Sequence, residues 1–167
     1  MKTPILITGA HRSGSTWIGK VIEQLEGLNY IHEPFNLGVK HHGSPLKYWQ
    51  QYLNNNSDPE FQKKVKRYIE SFYKVNSLVV EKEWSKKKEG YSTRDFIWKI
   101  RKHGSQRTIL KDPIAVFSAE WIHLQTNCDV VISVRHPAAF VASLKVVNWN
   151  TGFHELLPQK EFHEGRM

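Results

Sequence analysis

Gly9-Ala10-His11-Arg12-Ser13-Gly14-Ser15-Thr16 is the segment whose residue types and spacing speak most directly of chemistry. A glycine, four residues, a second glycine and then a hydroxyl residue is the spacing of a nucleotide-binding P-loop. Glycines let the backbone curl with its N–H groups turned inward, and a helix beginning near Ser15 adds the positive end of its dipole. The hydroxyls of Ser13, Ser15 and Thr16 can donate to further oxygens of a bound oxyanion. Where an ATPase or kinase loop places lysine, directly after the second glycine, this sequence has Ser15, and the loop's cation is Arg12. An NTPase lacking that lysine lacks its clamp on the β- and γ-phosphates. The other account of the segment needs no ligand: a Gly/Ser-rich turn that only joins a strand to a helix.

Arg12-Ser13-Gly14-Ser15-Thr16-Trp17 resembles the 5′-phosphosulfate loop of the sulfotransferases that use 3′-phosphoadenosine 5′-phosphosulfate (PAPS), a family with a P-loop-like fold and Lys or Arg at the position of Arg12. Val134-Arg135-His136-Pro137, with Ser143 eight residues beyond Arg135, is similar to that family's 3′-phosphate-binding strand–turn–helix. The resemblance implies that Arg12, Ser13, Gly14, Ser15, Thr16 and Trp17 bind the 5′ end of PAPS. It also implies that Arg135 and Ser143 hold the 3′-phosphate, the group that distinguishes PAPS from ATP. Glu33, in His32-Glu33-Pro34-Phe35, lies where carbohydrate and tyrosylprotein members carry a glutamate, the proposed base of the latter. Lys111-Asp112-Pro113 resembles the stretch whose lysine approaches the transferring sulfuryl group.

On that likeness Glu33 is the candidate base toward an acceptor hydroxyl or amine, on a saccharide or small molecule. Arg12 and Lys111 neutralise charge on the sulfuryl oxygens and the departing 5′-phosphate, Asp112 orients Lys111, and 3′-phosphoadenosine 5′-phosphate (PAP) is the product. Each residue also has a plainer reading. Glu33 before a proline serves as a loop carboxylate or helix cap, Lys111 as a surface ion-pair partner, Asp112 as the cap of the helix after Pro113, and Ser143 as an ordinary helix serine. His11, His32 and His136 are either second proton carriers or local hydrogen-bonding neighbours. Trp49, Trp84 and Trp98 belong to core and rim or to an acceptor surface. No His/Cys cluster of ligand spacing supports a metal site.

The likeness runs over roughly residues 4–149 and is weakest in the middle. It departs from the family in two ways. The histidine base of the cytosolic small-molecule branch has no secure counterpart here. The chain also stops soon after the 3′-phosphate motif, where members normally add residues over the adenine and acceptor. A fragment or short member is expected, a single domain lacking part of the usual C-terminal region.

These motifs need elements to position them. Residues 4–8 form a short apolar run bounded by Gly9, the pattern of a buried parallel strand. Trp17, Ile18, Val21, Ile22 and Leu25 recur at helical spacing, with Gly27 as the stop. Strands are predicted at 29–32, 108–110 and 129–134, the last being the strongest. Helices are predicted along 116–125 and from Pro137, which suits a first helical position. Between 44 and 103, Phe61, Val65, Tyr68, Ile69 and Phe72 form one apolar stripe, and Phe96, Ile97 and Ile100 part of another. Strand–helix alternation argues for an α/β fold with a central parallel sheet flanked by helices, and the resemblance implies a P-loop NTPase-like three-layer sandwich.

Length and composition set the outer bounds. The chain has 167 residues, 40% hydrophobic and 24% charged, enough for a real core and against wholesale disorder. A lone cysteine, Cys128, excludes an internal disulfide framework. No apolar stretch approaches a membrane span or a signal peptide, so a cytoplasmic location is expected. The net charge of +8 implies anionic partners. Two rivals to the transferase follow: a P-loop kinase or NTPase, and a non-catalytic module binding nucleic acid or sulfated glycan. The first lacks an acid at the end of 129–134, where Asp129 only begins the strand. The second leaves the ordered pair of phosphate motifs unexplained.

Overall fold

The computed structural model describes residues 3–25, 28–38, 44–73, 107–150 and 152–164. The first strand, β1 (Ile5–Gly9), carries Leu6 and Ile7 fully buried, as an apolar run between two helical layers requires. Helix α1 (Ser15–Glu23) follows the glycine turn and ends before Gly27, which lies outside the described residues. Its helical period was legible, yet its sheet-facing side is not the apolar set. Trp17, Val21 and Leu25 are exposed, whereas Ser15 and Gly19 are buried. The reason is a close approach. A Cβ at Gly19 would come within 2.7 Å of the Tyr30 ring and 3.1 Å of Lys111 Cγ, so α1 rests on small residues above those two long side chains.

Strand β2 (Leu28–His32) leads to helix α2 (Pro59–Tyr73), started by the Asp58 carboxylate accepting from Phe61 N at 2.7 Å. Its expected stripe holds: Val65, Tyr68 and Ile69 are buried, with Phe61 and Phe72 packed beside them. The second stripe (Phe96, Ile97 and Ile100), Trp84 and Trp98 fall outside the described residues. After β3 (Arg107–Lys111) the expected single helix at 116–125 is instead a 3-10 turn, Pro113–Ser118, running into α3 (Ala119–Thr126). Pro113 pre-sets the first turn and the Asp112 carboxylate accepts from Ile114 N at 2.9 Å, so the coil begins earlier and tighter than the apolar period suggests. Strand β4 (Asp129–Ser133) stops one residue short of the expected 129–134. It precedes α4 (Pro137–Val147), where Pro137 takes the first helical position and His136 Nδ1 accepts from Ala138 N. A 3-10 turn (Gly152–Leu156) and α5 (Lys160–Glu164) close the described chain.

All pairings are parallel, and the strand order is β2-β3-β1-β4. The β1-to-β2 and β3-to-β4 connections run in opposite directions across the sheet, so right-handed crossovers place α1 and α3 on opposite faces. The result is an α/β three-layer fold. In register, Leu6, Leu110, Ile31 and Val130 share one face, which packs with Val65, Ile69, Trp121 and Ile122 of α2 and α3. The strongest strand by sequence, β4, is the least covered: it lies at the sheet edge, with Val131 and Ile132 exposed. No helix among the described residues is long and apolar enough to cross a membrane.

Candidate active site

Register brings the chemical residues to one edge. Ile7 and His32 both align with Lys111, and Gly9 aligns with Ser133. The segments after all four strands therefore emerge together at the carboxyl end of the sheet, where open α/β sheets bind ligands.

The turn after β1 is shaped by a close contact. Gly9 has φ 144°, and a Cβ there would lie 2.2 Å from the Ser133 carbonyl oxygen. Ser133 Oγ donates to Ser13 O at 2.8 Å, and Ser13 N to Ala10 O at 3.1 Å, so the loop is tied to β4 and to itself. Arg12 and Gly14 both adopt positive φ, 65° and 97°. Gly14 caps α1 with no side chain to accept from the first-turn N–H groups. Ser13 Oγ is buried with no hydrogen-bond partner among the described residues, and the space around Gly14 is open. Unmatched helix N–H groups beside an unspent hydroxyl suit an oxyanion. Ser15 is buried, while Thr16 and Trp17 are exposed.

Two distant segments meet at this loop. Arg135 Nη1 donates to the Arg12 carbonyl oxygen at 2.9 Å, and Arg12 Nε donates to Ser143 Oγ at 2.9 Å. The Arg12 guanidinium also stacks 5.9 Å from the centroid of the half-exposed Trp149 ring. Arg12, Arg135 and Ser143 thus form one exposed basic cluster. In this arrangement the Arg12 side chain is engaged by Ser143 and Trp149; Glu33 and Lys111 belong to a second cluster.

That second cluster is largely buried. Lys111 is fully buried and its ammonium forms an ion pair with Glu33 Oε1. Asn36 Nδ2 donates to Glu33 Oε2 at 2.6 Å. His32 Nε2 stands 3.7 Å from Glu33 Oε1. Burial alone would raise the Glu33 carboxyl, but the hydrogen bonds from Lys111 and Asn36, with the charges of Lys111 and His32, leave it below the usual range. His11 is held below its ordinary value, mainly by burial, with Glu33 pulling it up and Lys111 pushing it down. Burial, with the Glu23 and Glu33 charges, pushes Tyr30 up to about 12. Lys111 is therefore no surface ion-pair partner, and the Glu33–Lys111 pair with His11 beside it is a charged, partly desolvated site. Of the remaining histidines, His136 caps α4 and His32 flanks Glu33.

Asp112 does not orient Lys111. Its two oxygens accept from Phe35 N and Ile114 N, so it caps the following turn and ties down the Glu33 segment. Complete burial pushes its carboxyl up to about 7, against the two backbone donors and Lys111, with Glu33 adding to the rise. A carboxyl raised above its unfolded value binds a proton in the folded state first, so its contribution to stability falls as pH rises from about 4 to about 7. Urea denaturation of wild type and Asp112→Asn at pH 5 and pH 8 isolates the contribution of this carboxyl. Wild type should lose on the order of 1–4 kcal/mol more than the variant between the two pH values. Parallel losses would show that Asp112 stays ionised throughout.

Asn36, Asp112 as a strut, and Trp149 are site residues that motif reading missed or misassigned. Only Asn36 left a signal, as a polar residue three positions after Glu33 in a turn. Trp49 reaches the same turn, its ring edge lying 3.5 Å from where a Cβ on Gly38 would stand. Comparison of the chain with protein-family models, with curated proteins and with solved structures gave no match.

Proposed function

We propose that this chain is a PAPS-dependent sulfotransferase acting on a hydroxyl, or amine, of a saccharide or other small molecule. The observation that carries the reading is the meeting of the two phosphate motifs. Arg135 and Ser143, remote in sequence from the glycine turn, are both hydrogen-bonded to Arg12 within it. In this reading the start of α1 and Arg135 are the two poles of one anion receptor. It suits a donor charged at both ends of an adenosine. Arginine at 135 can grip phosphate through two parallel donors.

In the proposed reaction the loop amides and the hydroxyls of Ser13, Ser15 and Thr16 hold the 5′ side. Arg135 and Ser143 hold the 3′-phosphate, once Arg12 releases Ser143 and turns toward the departing oxygen. Lys111 stabilises charge on the sulfuryl oxygens, and Glu33 accepts the proton of the attacking hydroxyl. In-line transfer at sulfur makes positioning and charge stabilisation the main contributions. The kinase reading is weaker: Ser15 stands in place of the loop lysine, and Asp129 is ion-paired with Arg107 at the opposite end of β4.

Titration calorimetry with PAP, with ATP as the control, tests the proposal. Wild type should prefer PAP by at least about tenfold. Arg135→Ala should lose about 10- to 100-fold of PAP affinity, with ATP affinity changed little. Equal affinity for both nucleotides, or a variant that binds PAP normally, would remove the 3′-phosphate site from the scheme.

A further inference from the structure

The turn that presents Glu33 contains a side chain with no assigned role whose two polar ends are both committed. Asn36 Oδ1 accepts from Gly38 N at 2.8 Å, which fixes the amide so that Nδ2 faces Glu33 Oε2 at 2.6 Å. Asn36 N donates to the Glu33 carbonyl oxygen at 3.0 Å, closing the same turn. Glu33 itself sits at φ 47°, a left-handed conformation that a glutamate adopts only when its surroundings enforce it. We propose that Asn36 is a positioning residue: it holds the Glu33 carboxylate by the oxygen that Lys111 does not take, and so sets both its orientation and its proton affinity. This deepens the transferase reading and rests on it for the identity of Glu33 as proton acceptor.

The two ends of the amide cannot exchange places. Rotating it by half a turn would place its oxygen against Glu33 Oε2 and its NH2 against Gly38 N–H, two repulsive contacts in place of two bonds. The carboxylate is consequently bridged between an ammonium and a neutral donor. The other groups facing it are His32 and Tyr30 from β2, His11 from the loop after β1, and Asp112 beyond β3. Lys111 supplies the opposing charge. Asn36 supplies direction, because a short, fixed N–H leaves only the remaining lone pairs of Glu33 open to an incoming hydroxyl.

The test is the titration of the Glu33 carboxyl followed by carbon-13 NMR, assigned with Glu33→Gln, in wild type, Asn36→Ala and Asn36→Asp. Loss of the donor in Asn36→Ala should raise the Glu33 midpoint by about half to one pH unit. Asn36→Asp keeps the acceptor for Gly38 N and the side-chain shape, and it should raise the midpoint further by setting a second carboxylate against the first. It also serves if the alanine variant fails to fold. In turnover assays the acid limb of kcat/KM should move by the same amount, with KM for the donor unchanged. Midpoints within 0.2 unit of wild type in the folded variants overturn the role of Asn36, whatever reaction the chain performs. Shifted midpoints in a protein that transfers no sulfuryl group uphold Asn36 as the residue that tunes Glu33 and count against the transferase instead.

Discussion

Lys111→Met is expected to destabilise the protein by about 3–5 kcal/mol near neutral pH and, in the proposed sulfuryl transfer, to reduce turnover by more than a hundredfold. The ammonium is fully buried and its ion-pair partner among the described residues, Glu33, is itself mostly shielded from solvent. Removing the cation leaves a carboxylate that has lost its strongest stabilising contact and retains its desolvation. The sign of the pH dependence follows. In wild type the Glu33 carboxyl lies below its ordinary value, so the pair contributes stability above about pH 4.5 and loses it as pH falls. In the variant, burial dominates and the carboxyl rises above its unfolded value, so stability falls as pH rises. The penalty should be small at pH 4 and full at pH 7, measured by urea denaturation at both. An equal penalty at the two pH values would mean that methionine fails by shape alone and that the charge pair is not the source of the effect.

Gly9→Ala should be the most damaging single-methyl change in the glycine turn after β1. The added carbon would stand 2.2 Å from the Ser133 carbonyl oxygen, a backbone atom that cannot swing aside, at a φ of 144° that alanine avoids. Either β1 separates from β4 at its last paired residues or the loop changes course, and both displace Ser13 from Ser133. A loss of roughly 2–5 kcal/mol from overpacking and strain is expected, together with loss of measurable PAP binding. Gly14→Ala is the control. Its φ of 97° is strained but its Cβ would meet nothing, so about 1–3 kcal/mol is expected, with the fold retained. Thermal denaturation and calorimetry on both variants check the contrast. If the two behave alike, the strand-to-strand contact is not what holds the loop.

Much of the architecture could be read from residue patterns because the strands are short apolar runs punctuated at once by Gly9, Glu33-Pro34, Asp112-Pro113 and His136-Pro137. Each interruption lies at or just beyond a strand's carboxyl end, which is why the motifs gather at one edge of the sheet. Periodicity served less well for orientation. Helix α1 has the right period, yet Trp17 and Val21 face outward, because Gly19 had to lie over Tyr30 and Lys111 and no local pattern records a contact between three separate segments. The same limit applies to the site. Glu33 and Lys111 were identifiable singly, but their direct pairing depends on parallel register between β2 and β3. Adjacency in sequence suggests Asp112 as an orienter of Lys111, but Asp112 continues the extended backbone just past β3, where neighbouring side chains leave on opposite sides, and it reaches Phe35 instead.

The turn bearing Glu33 is moored from several sides. Asp112 accepts from Phe35 N, Glu33 N donates to Lys111 O at 2.8 Å, and the Tyr68 hydroxyl of α2 donates to Pro34 O at 2.7 Å. A segment without regular structure therefore shares the cooperative unit of the sheet and of the helix that clamps it. Its amides should exchange with deuterium only on global opening, among the slowest of the described residues, whereas the unmatched amides at the start of α1 should exchange quickly and, on the proposed reading, slow when PAP is added. Chemistry of this kind would join a permanently rigid acid–base wall to a donor cradle that stiffens only on loading.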